Sequence, residues 1–458
     1  MNDARISASW SLVPAVFLFG AALVFHKPAA AVPAFAQQTG RNCAACHVGG
    51  FGPQLTQFGR EFKLGGYTLR MQKSIPLSAM AVASYVHTKK AQDEPPTEDA
   101  KRNNNLSFDE GSVFLAGGIG SHLGGFAQVT YSGADEAWAW DNLDLRAVNT
   151  GKIGGKDLVY GITLNNNPTI QDSWNTLAGW GFPYTDSDYA PAPDASPLIA
   201  GGLGQAVLGL SAYAWLDSKL YLEAGGYSTP SRGTLKWLGA DPDDPGKIHG
   251  IAPYGRAAFQ TGLGGGTFEV GAFALKAALY PGRDRSSGFS DRFTDFGLDA
   301  SWIKPMKSDT LTLNARYTHE KQLLNATCAL GMEAGEIDPM PLSQCADNTL
   351  NEEHADVSYY WHNAIGGTAS VFNLSGSSNP AIFPDNRTFR PDSSGFQFQL
   401  DGTPFGSGNS PLGPRFNMRV GVQYTAYMKF NGARRDFDGT GRNASDNNTL
   451  RVFTWLAF

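Results

Sequence analysis

The chain has 458 residues, of which 54 are glycine, 12% are aromatic and 17% are charged, and its formal net charge is -6. This length allows two or three ordinary domains or one large β-barrel, and the composition favours a glycine- and aromatic-rich β-protein. The negative net charge gives no sign of a basic surface, so no nucleic-acid partner is expected. After the N-terminus no window is apolar over the roughly eighteen residues that a spanning helix needs. This argues against a membrane helix but not against a membrane barrel.

The first residues follow the pattern of an export signal. Arg5 precedes an apolar run that extends to about Phe25, and small residues of the kind found at cleavage sites come next. We predict that residues 1–31 are a signal peptide and that the mature chain starts near Val32, in an oxidising compartment. The alternative is an N-terminal membrane anchor, for which the apolar run is short.

A C-x-x-C-H motif follows in the stretch RNCAACHVGG, with Cys43, Cys46 and His47. On one helical turn, two thiols can form thioether bonds to a porphyrin while the adjacent imidazole reaches the iron. The alternative is a redox or metal-binding C-x-x-C with an incidental histidine, but no second C-x-x-C or histidine pair stands nearby to complete a zinc site. The motif predicts one covalent c-type haem, attached at Cys43 and Cys46 with His47 as an axial ligand.

The segment around the motif, residues 32–74, is too short to build an independent hydrophobic core around a haem. We therefore expect it to fold as a small helical plug in the periplasmic mouth of a barrel, whose lumen is wide enough to hold one. Candidates for the sixth iron ligand are Met71, Met80 and His87. Met80 is preferred because a strand position near the mouth is rigid, and a methionine ligand raises the reduction potential relative to histidine.

The rest of the chain, residues 75–458, predicts an all-β fold. In TLTLNARYT, Leu313 and Tyr317 alternate with Thr312 and Asn314, and MRVGVQYTAYM and DVSYYWH alternate in the same way. Strict alternation indicates one face toward an apolar medium and one toward water. Soluble β-sandwiches also alternate, so the connections must distinguish the two classes.

The connections favour an antiparallel outer-membrane barrel of about 16 strands. Short turns such as LDSK and LGGG alternate with long loops, as in barrels with short periplasmic turns and long outer loops. The chain also ends LRVFTWLAF, which predicts a closing strand with Leu450, Val452, Thr454, Leu456 and Phe458 on one face. Four tryptophans near strand ends, Trp215, Trp302, Trp361 and Trp455, predict an interfacial aromatic girdle. The strands are expected to start near residues 75, 106, 125, 140, 157, 204, 219, 250, 266, 292, 308, 353, 367, 395, 416 and 449.

The remaining cysteines, Cys328 and Cys345, flank a stretch without strand periodicity. In an exported protein such a pair in a loop predicts a disulfide. Two free thiols are the alternative.

Both ends of the chain resemble the fused monohaem cytochrome–porins of iron-oxidising bacteria. The resemblance rests on AVPAFAQQTGRNCAACH, GPQLTQFGREFKLGGYTL and PLSAMAVASYVHT at the start and on the last 35 residues. It implies a Gram-negative outer-membrane oxidoreductase that takes electrons from extracellular Fe(II) and passes them to a periplasmic cytochrome or copper protein. Cys43, Cys46 and His47 carry over as haem attachment and axial ligand, whereas Gln37 stands where the family often has a basic residue.

Two other functions remain open on the sequence. One is a solute channel in which the haem segment is a structural plug, and the other is an electron conduit for a donor other than iron. Signatures of hydrolases and metalloproteases, G-x-S-x-G and H-E-x-x-H, are absent. Seven carboxylates in predicted outer loops could attract cations or could simply be solvated: Asp93, Glu94, Glu98, Asp99, Asp241, Asp243 and Asp244.

Overall fold

The computed structural model describes residues 34–68, 77–406, 410, 412 and 416–458. Within these ranges the chain forms a closed antiparallel barrel, with three short helices near the N-terminus. The predicted signal peptide and Met71 lie outside the described residues. None of the described helices is long and apolar enough to cross a membrane.

The barrel has sixteen long strands, as predicted, and one two-residue strand among the described residues. Consecutive long strands pair in order, β7 pairs directly with β9, and β1 pairs with β17 to close the sheet. The strands are β1 (Leu77–Thr88), β2 (Asn105–Ile119), β3 (Leu123–Ser132), β4 (Ala137–Ile153), β5 (Lys156–Asn165), β6 (Leu208–Leu216), β7 (Leu220–Ser228), β8 (Lys247–Ile248), β9 (Ala252–Leu263), β10 (Gly266–Tyr280), β11 (Asp291–Met306), β12 (Asp309–Leu323), β13 (Asp347–Trp361), β14 (Ile365–Gly376), β15 (Ser393–Gly402), β16 (Asn417–Lys429) and β17 (Thr449–Ala457).

Strand alternation sorts the side chains between the outer surface and the lumen. In β12, Leu313 and Tyr317 face outward and are 42% and 36% exposed, while Thr312 and Asn314 face inward and are buried. The same division holds in β13 and β16, where valine and tyrosine face outward. An apolar exterior around a polar interior is the arrangement of an outer-membrane barrel, whose outer surface contacts lipid.

The girdle prediction is correct for two tryptophans and wrong for two. Trp302 and Trp361 lie on the outer surface near the short turns. Trp215 and Trp455 face the lumen, with only 5% and 7% of their surface exposed. Since side chains alternate along a strand, the position of a tryptophan near a strand end does not decide which face it occupies.

Short and long connections fall at opposite ends of the barrel. The short turns lie at one end, at residues 120–122, 154–155, 217–219, 264–265, 307–308 and 362–364. The longer connection 403–416 lies at the same end and is the exception; its described residues are 403–406, 410, 412 and 416. The other end carries the long loops, at residues 89–104, 166–207, 229–251, 281–290, 324–346, 377–392 and 430–448, together with the brief connection 133–136. This is the predicted rhythm of an outer-membrane barrel.

One long loop turns into the lumen, which the sequence did not predict. The connection 166–207, here called the inward loop, places Ile170, Trp174 and Leu177 at 0–1% exposure inside the barrel. Its far end is fixed to the wall, because the Leu198 and Ile199 amides donate to carboxylates of Glu320 and Asp295 at 2.6 and 2.8 Å.

Helices occur in the N-terminal segment and in the loops. They are α1 (Ala34–Thr39), α2 (Cys43–Cys46), α3 (Gln57–Leu64), α4 (Arg232–Trp237), α5 (Asn325–Ala334) and α6 (Leu342–Ala346), with 3-10 turns at Val48–Gly50, Ala178–Trp180, Leu198–Ala200, Pro281–Arg283 and Ala444–Asn447. A disulfide joins Cys328 in α5 to Cys345 in α6, and both residues are fully buried in a small apolar cluster of that loop.

Candidate functional site

The motif cysteines occupy a single helical turn. Helix α2 runs from Cys43 to Cys46 and begins after Asn42, whose side-chain oxygen accepts the Ala45 amide at 3.2 Å. The His47 amide donates to the Cys43 carbonyl at 2.8 Å and ends the turn. Both thiols and the imidazole are therefore held by local backbone geometry.

The chain then folds back so that α3 packs directly on the motif. The Thr56 amide donates to the Cys46 carbonyl at 2.8 Å, and the Thr56 side chain caps α3 by accepting the Gly59 amide. A β-carbon at position 59 would lie 2.3 Å from the Cys46 carbonyl oxygen, so only glycine allows this approach. The two helices thus form one rigid unit, which we call the N-terminal segment (residues 34–68).

The N-terminal segment lies inside the lumen at the end with the short turns. The Gly49 amide donates to Asn363 at 3.3 Å, Asn417 donates to the Gly50 carbonyl at 2.9 Å, and Tyr213 donates to the Leu64 carbonyl at 2.7 Å. Asn363 and Asn417 belong to one part of the wall, in the turn after β13 and in β16, and Tyr213 belongs to another part, in β6. The segment is therefore attached to two separate parts of the wall rather than tethered at one point.

Buried charges add to this attachment. The Lys63 amine donates to the backbone carbonyls of Ile170 and Asp172 in the inward loop, at 2.7 and 2.6 Å. On the wall side, Tyr67 donates to Asp144 at 2.7 Å, and Asp144 pairs with Arg146 at 2.9 Å. The N-terminal segment, the inward loop and the wall are thereby joined across the lumen.

The three parts enclose a cavity of about 430 Å³. Cys43, Cys46 and His47 line it from the N-terminal segment, together with Phe35, Phe51, Phe62 and Tyr67. Strands contribute Met80, Phe114, Phe126 and Trp455, the inward loop contributes Trp180 and Tyr184, and one side is polar, with Glu110, Gln128, Asp141 and Asn142. The volume is in the range of small-molecule and cofactor pockets, and the lining surface is mainly apolar, with ten aromatic side chains.

The residues in this cavity fit a c-type haem. Burial and the charge of Arg419 lower the pKa of His47 to about 4, so its imidazole is neutral, as iron ligation requires. Its Nδ1 atom is buried and has no hydrogen-bond partner among the described residues. Burial raises the pKa of both thiols, to about 11 for Cys46, which keeps them protonated. Neither thiol forms a disulfide with a described residue.

The structure distinguishes the two described candidates for a sixth ligand, Met80 and His87, by their positions. Met80 faces the lumen in β1 and lines the same cavity as His47, and its sulfur accepts a hydrogen bond from the Trp455 indole at 3.3 Å. His87 lies on the opposite face of the strand near the long loops and contacts Asn104 at 2.8 Å. The structure therefore brings Met80, and not His87, to the motif.

Several site residues were missed from the sequence. Trp180 and Tyr184 come from the inward loop, and Lys63 looked like an ordinary surface lysine of a short helix. A signal was present for the loop, because 166–207 is long and contains two tryptophans and two tyrosines between polar stretches. Nothing in the sequence indicated that it would fold inward.

The outer-loop carboxylates proposed as a cation-attracting set lie at the end with the long loops. Asp93 and Asp243 are paired there with Arg442 and Arg232. Across the described ranges, no three histidine, cysteine, aspartate or glutamate side chains converge as a metal site.

Comparison with known proteins gives only distant structural likeness. No family model matches the chain, and no curated protein matches it significantly. The fold is similar to the outer membrane channel DcaP of Acinetobacter baumannii (TM-score 0.45, 11% identity, covering 85% of this chain and 99% of that one) and to an anion-selective porin from Comamonas acidovorans (0.43, 13%, 84% and 99%). It is also similar to OmpT of Vibrio cholerae (0.41, 10%, 85% and 99%). These comparisons assign the chain to no family.

Proposed function

We propose that this outer-membrane barrel carries one covalent c-type haem and transfers electrons across the outer membrane. The observation that supports the proposal is the convergence of Cys43, Cys46, His47 and Met80 on one aromatic cavity between the N-terminal segment and the wall. A histidine and a methionine thioether in one cavity are the ligand types of electron-transfer cytochromes.

The residues of the chain would act as follows. A haem supplies one-electron redox chemistry when bound. Cys43 and Cys46 would hold it covalently, His47 and Met80 would supply nitrogen and sulfur ligands, and the aromatic side chains of the cavity would exclude water. The polar side around Glu110 and Asp141 interrupts this apolar lining. Because short turns are periplasmic in barrels of this kind, the site would open toward the periplasm.

For the donor we propose extracellular Fe(II), with a periplasmic cytochrome or copper protein as acceptor. This choice rests on the resemblance of both chain ends to cytochrome–porins. The carboxylates of the long loops would raise the local concentration of cations at the outer entrance. A donor other than iron would use the same haem site.

The test is a visible spectrum of the purified full-length protein before and after addition of Fe(II). We expect a c-type spectrum that becomes reduced, and haem that stays on the polypeptide in a denaturing gel stained for peroxidase activity. Cys46→Ala should lose most of that stain. Haem that is extracted from the wild type by acid–acetone would contradict the proposal, and haem that Fe(II) leaves oxidised would contradict iron as the donor.

The second candidate is a solute channel with a structural plug. It is favoured by the polar lumen face of strands such as β15 and β16, where Gln399, Asp401 and Gln423 point inward. Against it, the N-terminal segment and the inward loop both lie in the lumen and contact each other through Lys63. Large salt conductance of the intact protein in a planar bilayer would favour the channel, whereas conductance near the background would favour electron transfer.

A further inference from the structure

A buried arginine lies beneath the turn that follows His47. Arg419 in β16 is 1% exposed. A β-carbon at Gly49 would lie 2.8 Å from its Nη2 atom, and one at Gly52 would lie 2.8 Å from its Nη1 atom. Both glycines have positive φ, at 70° and 109°, so the turn can close over the guanidinium only with glycine at these two positions. Arg419 therefore supports the backbone on both sides of Phe51.

The charge of this arginine is incompletely neutralised. Asp401 is the partner carboxylate, with Oδ1 at 3.4 Å from Nε, and it is itself 5% exposed. The Nε and Nη2 atoms of Arg419 make no hydrogen bond within the described part of the chain. The ring of Tyr360 lies 5.7 Å from the guanidinium carbon. In so buried a place, the positive potential of Arg419 extends with little screening to the turn that follows His47, where Gly49 and Gly52 lie against its guanidinium.

We propose that Arg419 is a positioning residue for the haem site, which holds the turn after His47 and raises the reduction potential of the iron. This inference rests on the proposed function. Ferric haem carries one more positive charge than ferrous haem, so a fixed cation nearby disfavours the oxidised state. Two unit charges about 10 Å apart, at an effective dielectric constant of about 20, change such an equilibrium about tenfold, and this is the size of effect that we expect.

The experiment compares reduction potentials of purified, haem-containing full-length variants. Arg419→Gln should decrease the equilibrium constant for reduction about tenfold, which corresponds to about 59 mV for a one-electron couple. Asp401→Asn removes the neutralising carboxylate and should shift the potential the opposite way. Arg419→Lys keeps the charge and should retain most of the wild-type potential. Opposite shifts are a signature of charge, because a structural disturbance alone has no reason to change sign between the two variants.

Arg442→Gln provides a matched control. Arg442 is a buried arginine paired with Asp93 at 3.3 Å. It belongs to the loop 430–448, at the opposite end of the barrel from the turn that follows His47. Its removal should shift the potential much less than the removal of Arg419.

The outcomes separate the two proposals. Wild-type protein with covalent haem, but with the same potential in Arg419→Gln and Asp401→Asn, would overturn the role of Arg419 and leave the proposed function intact. Shifts of equal sign in both variants would overturn it as well. A wild-type protein without covalent haem would overturn both proposals. If Arg419→Gln failed to fold, the test would rest on Asp401→Asn. A raised reduction potential in Asp401→Asn supports the inference, and an unchanged or lowered potential contradicts it.

Discussion

Replacing Leu64 by alanine should loosen the N-terminal segment from the barrel without unfolding the barrel. Leu64 is fully buried and packs between Trp174 of the inward loop and the wall residues Tyr213 and Trp215. Truncation of a buried leucine to alanine costs about 3 kcal/mol or more, because the cavity that it leaves is only partly refilled. At about 1.4 kcal/mol per factor of ten, the undocked population of the segment should increase by roughly 100-fold.

Limited proteolysis of the purified full-length protein with trypsin measures this population. Its two cleavage sites in α3, Arg60 and Lys63, are 2% and 5% exposed in the docked state, so cleavage requires release of the segment. The matched control is Leu210→Ala, in the wall strand that carries Tyr213, because Leu210 faces outward and is 56% exposed. We expect fast cleavage in Leu64→Ala and slow cleavage in Leu210→Ala and the wild type.

Circular dichroism should meanwhile report the same β-content in all three proteins. If Leu64→Ala were cleaved as slowly as the wild type while the barrel stayed folded, burial of Leu64 would not hold the segment, and our account of the docked segment would be wrong.

Three further predictions concern the ligand, the pH dependence and the loop disulfide. Met80→Ala should alter the spectrum and lower the reduction potential, because a thioether ligand is lost, while the outward-facing Met428→Ala should change neither. Burial lowers the pKa of Lys63 from 10.5 to about 7. At pH values between about 7 and 10, Lys63 is mostly neutral in the docked segment but protonated in the released one, so docking becomes more favourable as the pH rises. Protection of the α3 amides from hydrogen exchange should therefore increase over this range. Lys63→Met should abolish the increase. Reduction of the Cys328–Cys345 disulfide should destabilise its loop by about 3 kcal/mol and expose it to protease, and linked peptides should be found in unreduced digests; two thiols that are alkylated without reductant would contradict the pairing.

Period-two alternation predicted where most of the barrel strands begin. Fourteen of the sixteen expected starts lie within three residues of the observed ones. The exceptions are β6, expected near 204 and found at 208, and β13, expected near 353 and found at 347. The first residues of β13 are mostly polar because they lie at the end with the long loops, where both faces of a strand can be polar, so the alternation begins later than the strand.

The orientation of individual tryptophans could not be predicted by proximity to a turn. Trp215 and Trp361 both lie at or next to a strand end, yet one faces the lumen and the other the outside. The deciding quantity is the register of each strand against its neighbours, and a shift of one residue exchanges the two faces. Counting forward from Leu210, which faces outward, gives residues 212, 214 and 216 as the other outward positions. Trp215 therefore faces the lumen.

By itself, the sequence determined the alternating strands, their approximate number and the placement of Cys43, Cys46 and His47 on one turn. Each of these depends on residues only a few positions apart. Only the tertiary structure decided that Met80 faces the motif, that the inward loop closes the cavity and that Arg419 lies beneath the turn after His47. These contacts join distant parts of the chain, because closing the barrel pairs its first strand with its last and a long loop can enter the lumen from the far end. Their geometry follows from the register and curvature of the whole sheet, and no local pattern in the sequence encodes it.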